Sequence, residues 1–268
     1  MSSEVSKNSI KSSDFIQSLE RGLSVIQAFS PEYPDLTVSE AAQITNLSRP
    51  AVRRIFLTLE ELGFIHSING RYMLTARVLS LGYSYISSRN IWKFTHPHMR
   101  KLVEQTEEST SVSVLDHTDI VYVARIPTKR IMTIALDIGS RLPAYATSMG
   151  LVLLANLSTS ELDEYLSSVE LKAFTAKTII DKDELKNRLA KIREKGWASS
   201  KQQLEDGLHS IAAPIKNQDG KVIAAINISA HAGRFNEENI EVFYVPLLLA
   251  TANQISEDIS KSYQISQL

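Results

Sequence analysis

Cysteine is absent from the 268 residues. That removes disulfides, thiolate nucleophiles and Cys-ligated zinc, and it suits a reducing compartment. Long apolar runs are missing too: the longest, near 245–250, is far shorter than a bilayer span and contains Pro246. The opening MSSEVSKNSIKSSD is polar and Ser-rich, with no apolar core of a signal peptide. Residues 1–14 therefore read as a disordered tail, and the chain is expected in the cytoplasm, away from membranes. There is no excess of positive charge, with a net charge of −1 and a pI near 6.6. A protein that coats nucleic acid by overall charge is excluded. Neither G-x-G-x-x-G, a P-loop, H-E-x-x-H nor G-x-S-x-G occurs, and no metal or cofactor is expected.

What is present is ample apolar material, 43% of the chain, spread over a length that suits two domains. Ile16, Leu19, Leu23 and Ile26 recur at helical spacing, predicting a first helix to about Phe29. SPEYPD breaks it. Thr37 and Glu40 then have the spacing of a capping box, and Val38, Ala41 and Ala42 give the next helix a small-residue face. Asn46 suits a left-handed turn, Ser48 caps a third helix, and Pro50 sits in its first turn. Val52, Ile55, Phe56, Leu59 and Leu62 form its apolar stripe, opposite Arg49, Pro50, Arg53 and Arg54. Gly63 stops the helix, and the strands 64–67 and 71–74 flank Asn69-Gly70, a strong hairpin signal.

This order predicts a winged helix-turn-helix at 15–75, with the motif at about 37–56 and the wing at 64–74. In such motifs the first residues of the second helix enter the major groove of double-stranded DNA. Ser48, Arg49, Pro50, Arg53 and Arg54 are the candidate operator contacts, joined by Arg71 on the wing. Five arginines in this stretch face six acidic residues, so the expectation rests on where the arginines sit. Thr75 caps a linker helix at about 76–89, with Val78, Leu79, Tyr85 and Ile86 mostly on one side. A further helix is expected to follow Pro97 and run to Glu108.

From Ser111 the pattern becomes strands. SVSVLD and IVYVARI alternate around His117-Thr118-Asp119, and MTIALDI (132–138) reads as a third strand. LVLLANL is apolar on every face and reads as a buried helix. Two amphipathic helices (160–168 and 182–195) precede HSIAAPI and KVIAAINIS, a hairpin around Asp219-Gly220, and a long helix at 236–261 closes the chain. Strands, then helices, then strands predict an α+β domain with an antiparallel sheet at 90–268.

The segments GSRLPAYATSMG (139–150), SKQQLEDGLHSIAAPI (200–215) and GKVIAAINIS (220–229), in this order, resemble the IclR family of bacterial regulators. RLPAYATSMG, preceded by YVARIPTKRIMT, resembles the branch that controls aromatic-acid breakdown, including protocatechuate and 4-hydroxybenzoate regulators. The resemblance spans Phe15 to the C-terminus. It implies a GAF-like effector domain, a carboxylic-acid metabolite as ligand, and a homo-dimer or tetramer. By matched position it implies polar contacts from Ser148, Met149, Ser200, Ser210, Asn227 and Ser229, and an apolar wall from Ile131, Ile134, Leu142 and Leu208. Some family members that sense very small acids carry Asp and Cys at the positions of Ser200 and Ser210, so this chain points away from a glyoxylate-like ligand.

Arg130 and Arg141 have the chemistry to clamp a carboxylate. Arg141 beside a turn also reads as a loop tie, and Arg130 as a solvated strand end. Tyr145 and His209 can bond a ring hydroxyl or pack in the core. The alternative to a sensor is an enzyme with an appended DNA-binding domain. His96 and His98, two residues apart, do not share a helix face, and Asp116-His117 has no nucleophile beside it, so no catalytic set is apparent.

Overall fold

Thr37 and Glu40 form the reciprocal cap that their spacing predicts: the Glu40 amide donates to Thr37 Oγ1 at 3.2 Å and the Thr37 amide to Glu40 Oε2 at 2.7 Å. The computed structural model describes residues 14–88, 91–128, 136–235 and 239–265. The expected tail lies outside these, except Asp14. So do Arg130, Ile131, Ile134 and most of the strand expected at 132–138, whose described part, 136–138, is not strand. The chain divides into two compact units, 1–89 and 90–268.

In the first unit, α1 (Gln17–Gln27), α2 (Val38–Thr45) and α3 (Arg49–Glu61) enclose Val25, Leu36, Ala41, Val52 and Phe56. Asn46 takes the left-handed conformation (φ 54°) that turns α2 into α3. Ser48 caps α3, with Pro50 in its first turn. β1 (Asp35–Leu36), β2 (Ile65–Ile68) and β3 (Arg71–Leu74) form a sheet in the order β1-β3-β2. Asn69 and Gly70 both have positive φ, 54° and 79°, as a type I′ hairpin turn requires. The sheet joins the helices through Tyr72, whose ring lies 4.2 Å from that of Phe56. Leu62 is 50% exposed and so departs from the expected stripe. Thr75 caps a 3₁₀ turn (Ala76–Val78) that leads into α4 (Leu79–Ser88).

In the second unit, α5 (Ile91–Thr106) begins six residues before Pro97 and does not start after it. Proline marks helix starts because it is tolerated in a first turn. Pro97 is the seventh residue of α5 and lies inside the helix, without an amide to donate to the carbonyl four residues back, so the start expected from it was misplaced. The strands are β4 (Ser109–Asp116), β5 (Asp119–Ile126), β6 (Arg141–Pro143), β7 (Ala198–Lys201), β8 (Leu208–Lys216) and β9 (Val222–His231). They form one antiparallel sheet in the order β6-β5-β4-β9-β8-β7. Among the described residues the third strand of this unit is β6.

Alternation divides the sheet into two faces. Ile211, Ala213, Ile226 and Ile228 point to one, against α5 and the final helix α9 (Val245–Ile265), which a π turn (Ile240–Tyr244) precedes. Ile120, Ala212 and Ala225 point to the other, against α6 (Ser148–Ala155), α7 (Thr159–Ser168) and α8 (Lys182–Lys195). Every residue of α6 is buried. Its path is set at Gly150, where a Cβ would stand 2.1 Å from the Ala144 carbonyl oxygen and 2.4 Å from Ala144 Cα. Backbone cannot yield as a flexible side chain can.

Gly150→Ala is expected to destabilise the chain by about 1–3 kcal/mol or more, as overpacking does. Gly22→Ala, in helix α1 with nothing within 4 Å of the new methyl, is expected to stabilise by about 0.4–1 kcal/mol. Urea unfolding of both variants measures the contrast, and a Gly150→Ala protein as stable as wild type would contradict the close approach.

Candidate functional site

Two separate arrangements carry chemistry, one in each unit. In the first, Ser48, Arg49, Pro50, Arg53 and Arg54 are all exposed on the start of α3, while Val52, Phe56 and Leu59 are buried behind them. The Ser48 hydroxyl accepts from the Ala51 amide at 3.4 Å. No ion pair among the described residues involves these three arginines. Their charge adds to the positive end of the helix, so this face offers an anion-attracting surface despite the neutral composition.

Arg71 is a correction. Its guanidinium bonds Asp35 Oδ1 at 2.5 Å, the Asp35 carbonyl at 3.3 Å and Glu40 Oε2 at 3.3 Å. The Asp35 hydrogen bond holds its pKa above the ordinary guanidinium value. Through Nε and NH2 the residue ties β3 to β1 and to the α2 cap, so these donors are engaged with acids within the unit.

In the second unit, strands β5–β9, the start of α6 and the 202–207 loop enclose a cavity of about 30 Å³. Eight residues expected at a ligand site border it: Leu142, Ser148, Met149, Ser200, Leu208, Ser210, Asn227 and Ser229. Pairing aligns Ser200 with Ser210 and Ser210 with Ser229, a row of hydroxyls across three strands. The Ser200 hydroxyl donates to the Ala146 carbonyl at 3.1 Å, and Asn227 Oδ1 accepts from the Ser111 amide at 2.9 Å. Thr147 caps α6 by accepting from the Gly150 amide at 3.1 Å. The Ser148 and Met149 amides precede the first intrahelical bond, at the positive end of the helix. Ser148 Oγ is fully buried there with no partner among the described residues.

Tyr145 and His209 stand elsewhere. The Tyr145 hydroxyl donates to the Lys172 carbonyl at 2.9 Å and accepts from the Lys172 amide at 2.8 Å, so it is spent on pinning that loop. His209 lies between Leu208 and Ser210 on β8 and therefore faces the opposite side of the sheet. There it meets Ser199 Oγ at 2.8 Å and the edge of Phe235 at 5.3 Å. Arg141 bonds Asp116 at 2.6 Å and Asp119 at 3.2 Å, tying β6 to the β4–β5 turn, and it is not among the residues that border the cavity.

Tyr122, Leu136, Gln203 and Leu204 border the cavity and escaped the sequence reading. Alternation along β5 places Tyr122 on the same face as Ile120 and was available as a signal. Gln203 comes from a loop and had none. Burial pushes the Tyr122 phenol up to about 12, so it remains a neutral donor near pH 7.

A family model described as the IclR helix-turn-helix domain matches residues 18–67, and one described as the C-terminal part of the bacterial transcriptional regulator IclR matches 83–257. The chain belongs to the IclR family. Among IclR relatives, the Pca regulon regulatory protein of Pseudomonas putida is 39% identical over 247 residues, covering 92% of this chain and 85% of that one. A putative transcriptional regulator from Rhodococcus sp. RHA1 has a solved structure with a TM-score of 0.82 and 46% identity, covering 92% of this chain and all of that one. The inducer-binding domain of an Acinetobacter PobR double mutant, solved with 3-hydroxybenzoic acid, is 32% identical with a TM-score of 0.57, over 61% of this chain and 96% of that one. This IclR-family chain is a DNA-binding transcriptional regulator with an effector domain. Among the described residues no helix is long and apolar enough to cross a membrane.

The bond from the Thr37 amide, more than any other contact, holds the Glu40 carboxyl below its ordinary value of 4.5. A depressed acid stabilises the fold above its unfolded pKa, and that stability is lost as pH falls through the folded value. Amides 37–46 are therefore expected to lose protection from hydrogen exchange as pH falls below the ordinary carboxylate value of 4.5, and Glu40→Gln should flatten that dependence. An identical loss in the variant would show that another group carries it.

Proposed function

We propose that the chain reads an operator with the start of α3 and senses a small aromatic carboxylic acid in the cavity of the second unit. The observation that carries the first half is the exposed Arg49, Arg53 and Arg54 beside the N-terminus of α3. The second half is carried by the cavity, where hydroxyls, the positive end of α6 and an apolar wall meet. This combination suits a flat acid bearing polar substituents. The hydroxybenzoic acid bound by the PobR domain is of that class. We assign 15–75 to DNA binding, 76–89 to the linker and 90–268 to the effector, acting in the cytoplasm by binding and not by turnover.

At about 30 Å³ the cavity holds little more than a water molecule, so an aromatic ring enters only as the walls part. That displacement is a physical reason for the ligand to prefer one arrangement of the protein over another. A ligand alters DNA affinity only through such a preference, and the coupling is reciprocal. A single winged helix contacts few base pairs, so two copies on paired half-sites are proposed. Helix α4 carries no charged residue and leaves Leu79 and Tyr83 74% and 68% exposed, surface that a second copy would cover.

The DNA half is tested on a fragment selected from random-sequence DNA by the purified protein. Arg53→Ala and Arg54→Ala should each reduce the salt slope of binding by about 1 if the contact is to phosphate, or weaken binding about 10–100-fold if it is to a base. Arg71→Ala should leave the slope near that of wild type. Unchanged binding by both Arg53→Ala and Arg54→Ala would discard this face, and sedimentation of a complex with one copy per fragment would discard the dimer.

The ligand half is tested by calorimetry of the full chain with 4-hydroxybenzoate and protocatechuate, with chromatography of the recovered acid. Binding of at least one acid, unaltered on recovery, is expected, and Ser148→Trp should abolish it by filling the cavity. Conversion of the acid would favour an enzyme. Equal binding by Ser148→Trp would place the ligand elsewhere.

A further inference from the structure

Arg188 lies on α8, half-buried behind the cavity wall, and among the described residues no carboxylate stands within ion-pair distance of it. The charge that acts on it most directly is Glu184, one turn earlier on the same helix, and burial holds its pKa below the usual guanidinium value. Its donors face uncharged groups: NH2 bonds the Ser199 carbonyl, and both terminal nitrogens stand against the Gln203 side-chain amide. The amide oxygen is assigned to that side because an amide nitrogen there would meet only donors; in that orientation the NH2 contact is 3.1 Å. Gln203 is 4% exposed and borders the cavity. Thr178 Oγ1 donates to its carbonyl at 2.6 Å, and Thr175 Oγ1 to the neighbouring Gln202 carbonyl at 2.6 Å, so the loop backbone is pinned on both sides.

A primary amide is planar, with its oxygen and nitrogen on opposite sides. Once the Gln203 oxygen is turned to Arg188, its Nε2 protons are directed away from the guanidinium. Accepting from a cation polarises the amide and makes those protons better donors. The cavity that Gln203 borders also holds the Ser148 hydroxyl, which has no partner among the described residues, and the start of α6, both suited to an acceptor. A half-buried cation with no carboxylate within ion-pair distance among the described residues raises the potential of this small volume more than a paired one would.

We infer that Gln203 donates through Nε2 to the carboxylate of the ligand, and that Arg188 is the positioning residue that orients Gln203 and sets the preference of the cavity for an anion. The inference rests on the cavity being the effector site. It makes charge selection a property of a residue that does not itself touch the ligand. A neutral isostere of the acid keeps the shape and loses the charge, so it separates this role from packing.

The test is calorimetry of the full chain with 4-hydroxybenzoate and protocatechuate, each against its carboxamide. Wild type should prefer acid to amide. Arg188→Met should lower acid affinity about ten-fold or more while changing amide affinity little, and Arg188→Lys should recover part of the preference. Gln203→Glu keeps a partner for Arg188 but presents a carboxylate, and it should lose acid binding. Acid and amide weakened by the same factor in Arg188→Met would mean a structural role only, and undiminished acid binding by Gln203→Glu would overturn the inference even if the Arg188 variants fail to fold. Wild type binding neither acid would overturn the reading of the cavity and this inference with it. Wild type binding an acid no better than its amide would overturn the inference alone.

Discussion

The seat of α6 on the sheet is the constraint from which the second unit follows. An eight-residue helix with every position buried can satisfy its backbone only internally and at its caps, so its ends must be placed with care. Gly150 lets the first turn press against Ala144, and Thr147 closes the cap from within that same contact. The amides of Ser148 and Met149 are thereby left at the edge of a cavity. The stability of the unit and the polarity of its cavity thus have a common origin in one close backbone approach.

A second theme is the disposal of arginine charge. Arg71 and Arg141 are each held by two carboxylates and serve as ties between strands and turns. Both are partly exposed, where such pairs add little stability, so their effect is to fix geometry. Among the described residues Arg49, Arg53 and Arg54 have no ion-pair partner, and Arg188 faces the Ser199 carbonyl and the Gln203 amide. A protein of nearly neutral net charge can therefore present a cationic helix face. Local pairing, and not composition, decides where positive charge is available.

Much of the fold was legible because its signals are short. The Thr37–Glu40 cap, the left-handed Asn46, the Asn69-Gly70 turn and the alternation in β4, β5, β8 and β9 each span a few residues, and each formed where the sequence placed it. Pro97 misled because local sequence does not distinguish a proline inside a helix from one at its start. The serines of the cavity were found through resemblance, and strict alternation would have excluded His209, which cannot share a face with Leu208 and Ser210.

By itself, then, the sequence determined which segments become helices and strands, which face of α3 is basic, and which residues could meet on one side of the sheet. Those are properties of neighbours within about one or two turns or a hairpin. Tertiary structure decided what meets across longer separations: Arg71 with Asp35, 36 residues away, Asn227 with the Ser111 amide, 116 away, and Ser200 with the Ala146 carbonyl, 54 away. It also brought Gln203 from an unpatterned loop to the cavity and placed Arg188 behind it. The physical reason is that helix and strand periodicity record only which way a side chain leaves the backbone. Its partner is chosen by sheet order and helix seating, which the whole chain sets together.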